Sequence, residues 1–64
     1  MSEDMKELKK ELAKRKRIAM EIASEIHDIV EDTIWTNHFK LPQLSQKLLA
    51  AVEEVHAFAA EHGL

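Results

Sequence analysis

Apolar residues recur along the first half of the chain in alternating steps of three and four: Met5, Leu8, Leu12, then Ala19, Ile22, Ile26 and Ile29. That is a heptad seam, the spacing that keeps one face of an α-helix turned toward a partner helix. Its one polar intruder is Arg15, whose guanidinium can reach solvent while its stem covers the seam. On that reading Arg15→Leu is neutral or stabilising. The residues between are mainly Glu, Lys, Ala and Arg, all good helix formers. A second stripe, Met20, Ala23, His27, Val30 and Ile34, lies beside the first. The C-terminal half of this helix is therefore apolar over a wide arc and its N-terminal half over a narrow one. The pattern predicts one helix over residues 3–34, roughly 45 Å long at about 1.5 Å per residue.

The stretch 35–41, Trp-Thr-Asn-His-Phe-Lys-Leu, is the predicted connection. Thr36 and Asn37 compete with helical hydrogen bonds, and Pro42 disfavours helical geometry at Leu41. Pro42 suits the first turn of a second helix, where its missing N–H costs nothing. That helix is predicted over 42–61, with Leu44, Leu48, Ala51, Val52, Val55, Phe58 and Ala59 inward and Gly63 as its stop. The short connection folds the second helix back on the first, and the first outruns it by some ten residues. The expected fold is thus all-α, a single antiparallel two-helix hairpin. Two helices cannot enclose stripes this broad, so hairpins are expected to pair into a four-helix bundle, as a homodimer or higher oligomer.

Composition narrows the picture further. One Gly and one Pro in 64 residues leave few places for turns. A chain this short buries only about 60% of its unfolded surface and gains from a partner subunit. The absence of Cys removes disulfides and thiolate metal sites. No stretch is apolar and long enough to span a bilayer, and the start Met-Ser-Glu-Asp is unlike a secretory signal. Cytoplasm is the expected location by elimination. The net charge of −3 is uneven: residues 1–17 carry seven Lys/Arg and four Asp/Glu, residues 18–64 two Lys and eight Asp/Glu. A basic end is joined to an acidic body.

Histidines and carboxylates are the metal-capable groups. His27 and Glu31, four apart, share a helix face, as do Asp28 and Asp32, while Glu53 and His56 form a Glu-x-x-His unit of the kind used by helical di-iron bundles. Such bundles also need inward Glu residues on other helices. Here Glu25 falls at the seam's edge and Glu21 further out. No cofactor is required by this reading. A divalent transition metal is what the set His27, Glu31, Glu53 and His56 would take, and nitrogen and oxygen ligands suit Zn, Fe, Ni or Mn alike. The alternative is ordinary solvated positions. Lys14, Arg15, Lys16 and Arg17 invite a nucleic-acid reading. Four consecutive bases on a helix point in several directions, Glu7 and Glu11 compensate part of their charge, and no aromatic platform lies among them. Trp35 and Phe39 stand in the connection, either as a plug for the open end of the bundle or as an exposed docking hot spot. Ser24 and Ser45 have no assignable histidine partner, and a hairpin offers no evident cleft, so no enzymatic centre is expected.

The stretch His27-Asp28-Ile29-Val30-Glu31-Asp32, followed by Trp35, Thr36-Asn37 and Leu41-Pro42, resembles a family of small Rop-like proteins encoded among nitrogen-fixation genes. The layout is similar over nearly the whole chain, and the specific part covers about fifteen residues. The resemblance implies helical hairpins paired into four-helix bundles and an association with metallocluster assembly. It marks His27, Asp28, Glu31 and Asp32 as a signature patch. The chain departs from the pattern at the turn. The family places Pro-Thr after the acidic pair, where this sequence has Thr33-Ile34, and Trp35 precedes Thr36-Asn37 instead of following it. The leading expectation is a non-catalytic adaptor that docks another protein through His27, Asp28, Glu31, Asp32, Trp35 and Phe39. A carboxylate–histidine metal bundle is the second reading. An RNA-binding bundle, by analogy with Rop-like dimers, is the third.

Overall fold

A computed structural model describes residues 2–64, with side chains from Asp4 onward. Helix α1 runs Ser2–Asp32, a single helical turn α2 covers Ile34–Asn37, a 3-10 turn covers His38–Lys40, and α3 runs Leu41–His62. The chain folds as an all-α hairpin in which α1 and α3 pack against each other. Ala19 and Ile29 of α1 and Leu44, Ala51, Val55 and Phe58 of α3 are buried between them. All six belong to the two apolar seams.

The connection is almost entirely helical, where the sequence suggested an irregular loop. Thr33 (φ −127°, ψ 26°) and Asn37 (φ −112°, ψ 6°) each interrupt the winding for one residue. The carbonyl of Thr33 accepts from the amides of Thr36 at 3.1 Å and Asn37 at 2.8 Å, and from the Thr36 hydroxyl at 3.3 Å. The local hydrogen bonding of Thr and Asn thus bends the helix without dissolving it. Leu41 is also helical (φ −58°, ψ −43°), although Pro42 follows it. The 3-10 turn delivers the chain already winding right-handed, and the preference of a residue before proline is outweighed. At the other end, Gly63 takes φ 67°, a left-handed conformation that suits glycine. It lets the amide of Leu64 reach the carbonyl of Ala59 at 2.7 Å.

Arg15 does more than snorkel. Its guanidinium carbon lies 4.4 Å from the centroid of the Phe58 ring, and its Nε donates to Glu11 Oε1 at 3.2 Å. The ring of His62 stands 4.5 Å from the same Phe58, tilted by 52°. The polar break in the seam is therefore closed by a stack of Arg15, Phe58 and His62.

The hairpin encloses little. No described side chain is fully buried. Leu8, Leu12, Ile22 and Ile26 of α1 and Leu48, Val52 and Ala59 of α3 are half-buried, and Met5 is exposed. The surface of 5254 Å² exceeds by roughly 1,000 Å² the about 4,200 Å² of a compact monomer of this mass. The radius of gyration, 14.9 Å, compares with about 11 Å for a compact chain of the same length. The molecule is a rod, 51 Å along its longest axis.

The seam and the stack make separable predictions for denaturant unfolding. Ile29→Ala and Phe58→Ala should each cost about 2–4 kcal/mol, and Ile18→Ala, at an exposed position, less than about 0.5 kcal/mol. Arg15→Ala should cost about 1–2 kcal/mol through the lost stack. Arg15→Leu exchanges the stack for aliphatic contact and should stay within about 0.5 kcal/mol of the parent.

Candidate docking site at the hairpin end

The last two turns of α1 and the connection form one end of the rod. His27 and Glu31 are four apart on α1, and their side chains meet there: His27 Nε2 lies 2.9 Å from Glu31 Oε2, and His27 Nδ1 lies 4.0 Å from Asp28 Oδ1. All three side chains are mostly exposed, and so is Asp32. Exposed polar contacts of this kind add little to stability. The patch is a surface feature and carries none of the fold.

Beyond it the connection turns two aromatic side chains outward. Trp35 is 90% exposed and Phe39 65% exposed. Trp35 therefore does not plug the end of this hairpin, one of the two places the sequence left open for it. The interruption at Thr33 rotates the short turn α2, which half-buries Ile34 and leaves its neighbour Trp35 in solvent. His38 Nδ1 lies 3.0 Å from the carbonyl of Ile34, and Lys40 Nζ is 6.0 Å from the centroid of Phe39. The result is an apolar tip beside an acidic flank.

The other sequence-derived sites are dispersed. In the packing that sets Arg15 against Phe58, Glu53 and His56 fall roughly level with residues 17–20 of α1. His27 and Glu31 are about ten residues further along, some 15 Å at about 1.5 Å per residue. Among the described residues no three His, Asp or Glu side chains are gathered for an ion. His27 and Glu31 meet, and they do not join Glu53 and His56. Glu21 and Glu25 are exposed. Of the basic run, Lys14, Lys16 and Arg17 are exposed in different directions, while Arg15 is engaged with Glu11 and Phe58. The four do not make one basic face. No described helix is long and apolar enough to cross a membrane.

A shallow groove on α1, lined by Ala13, Lys16, Arg17, Met20, Glu21 and Ser24, was not foreseen as a site. Its signal is in the sequence: the second stripe continues backward from Met20 through Lys16 and Ala13 to Lys9 in steps of four and three.

The model of the Rop-like family matches residues 3–61. No curated protein and no solved structure matches the chain.

Trp35 is the sole tryptophan, so its environment can be read directly by fluorescence. The emission should sit near that of tryptophan in water, with acrylamide quenching close to that of a free indole. A blue-shifted, poorly quenched emission would place the ring in a packed environment instead.

Proposed function

Because the chain belongs to the Rop-like family, a small structural fold without enzymatic activity, we propose that it is a non-catalytic adaptor, a pair of hairpins whose ends dock another protein. The observation that carries this reading is the 90% exposure of Trp35, beside the exposed Phe39. Tryptophan is the side chain most enriched at binding hot spots, and a solvated indole contributes nothing to the fold that displays it. The partner is a protein surface with an apolar pocket for Trp35, rimmed by basic groups that meet Asp28, Glu31 and Asp32. Pairing of hairpins is supported by the roughly 1,000 Å² of surplus surface, which matches the about 800 Å² that each partner contributes to an ordinary stable interface. The resemblance of residues 27–42 to nitrogen-fixation-associated proteins supplies the first partners to screen, the metallocluster-assembly proteins of such gene clusters.

The test is capture of a defined partner by untagged protein, with variants at the hairpin end. Trp35→Ala should weaken capture at least tenfold and Asp28→Asn several-fold. Both should leave the thermal midpoint within about 2 °C, since neither side chain is packed. Undiminished capture by Trp35→Ala would overturn the docking role of the aromatic tip.

A further inference from the structure

Opposite the seam that faces α3, the outer side of α1 carries Lys6, Lys10, Ala13 and Arg17, spaced by four, three and four. At about 100° per residue these positions share one narrow strip of the helix. Lys9 and Lys16 border the strip on one side and Lys14 on the other, and all seven residues are exposed. The acids of the same stretch lie elsewhere. Asp4, Glu7 and Glu11, also at steps of three and four, fall on the flank of the seam, where Glu11 accepts from Arg15 at 3.2 Å. They offset the one cation that packs against α3 and leave the outer strip basic. The strip has an apolar floor as well as charge. Its groove at Ala13 and Met20, bordered by Lys16 and Arg17, ends against Glu21 and Ser24. Beyond that end the same side of the helix turns acidic, with Asp28 and Glu31 on it. A nucleic-acid backbone has nothing to place on Ala13 and Met20, and no aromatic side chain among the cations offers its bases a platform. An anionic membrane surface would run along the rod and meet Asp28 and Glu31 with like charge. The occupant that fits is short, acidic and partly apolar.

We propose that this strip docks a short acidic amphipathic helix of another protein, with aliphatic side chains on Ala13 and Met20 and carboxylates against Lys6, Lys10, Lys16 and Arg17. Length and access agree. From Lys6 to Arg17 the strip is about 16 Å long at about 1.5 Å per residue, which is about three turns of a partner helix. Because Phe58 packs against Arg15, α3 ends at His62 level with Glu11. The turns of α1 that carry Lys6 and Lys10 run past that end and are open to approach. The strip is centred on the order of 30 Å from Trp35, and its charge is opposite to that of the hairpin end. The rod thereby joins two partners of different kinds, one with a basic rim and one acidic. This second surface stands independently of the docking role of Trp35.

The probe is a fluorescein-labelled helical peptide of about four turns, with Leu along one face and Glu on either side of it, followed by fluorescence anisotropy. Its binding should weaken about tenfold between roughly 50 and 300 mM salt. Lys10→Glu and Arg17→Glu should each weaken it about fivefold and the neutral Arg17→Gln about threefold. Lys47→Glu on α3 makes the same change in net charge and should leave binding unchanged. A peptide of identical composition with its Leu residues scattered around the helix should bind at least about fivefold more weakly. Equal weakening by Lys47→Glu, or equal binding of the scattered peptide, would reduce the contact to net charge and overturn the proposal. So would tighter binding of a labelled RNA hairpin or of phosphatidylserine vesicles than of the peptide. A change in the protein's own oligomeric state in Arg17→Glu would assign the strip to a second copy and overturn it as well.

Discussion

Two helices in contact share one line of packing, and everything else about this molecule follows from that constraint. A side chain on the line between α1 and α3 is covered by the neighbouring helix, and one a third of a turn away is not. Hence, among the described residues, six are buried and none completely. The hairpin has sequestered the centre of each apolar stripe and left the flanks wet. For a chain of 64 residues that leaves a thin margin, because folding must offset about 1–2 kcal/mol of backbone entropy per residue. The structure gains at its edges through the Arg15–Phe58–His62 stack and the glycine-terminated C-terminus of α3.

The same geometry separates the side chains that stabilise the hairpin from those displayed at its end. The residues that hold the hairpin lie on its inner line, and those at its end, His27, Asp28, Glu31, Asp32, Trp35 and Phe39, make no contact on which the fold depends. The positions of Trp35 and Phe39 are set by two single-residue interruptions, at Thr33 and Asn37, which steer the chain around while keeping it helical. A flexible loop would leave the aromatic side chains loosely placed. A helical turn fixed by hydrogen bonds to Thr33 presents them in a defined direction, and under the proposed docking role this lowers the entropy lost on binding.

Much of this was legible in the sequence. Heptad spacing located both helices and all six buried residues, Ala19 and Ile29 on one seam and Leu44, Ala51, Val55 and Phe58 on the other. Gly63 announced its own role. The connection was less legible, because Thr, Asn and Pro are read as breakers when each is judged by its local preference. Here the Thr33 carbonyl collects three donors, and the run continues as helix. Arg15 was read as an intrusion in the seam because its partner, Phe58, is 43 residues away in sequence, and no periodicity within α1 reports a contact across the hairpin. The four proposed metal ligands share helix faces in pairs, but the register of α3 against α1 decides whether the pairs meet, and it sets them apart.

A turn that winds instead of wandering also bears on how the molecule comes together in time. Its contacts are local: turns of helix, then a fold-back around a connection of eight residues, Thr33 to Lys40. Loop closure over so short a span is fast, and chains with such low contact order fold in microseconds to milliseconds. The barrier to forming the hairpin is therefore the nucleation of its helices, not the search of distant segments for one another.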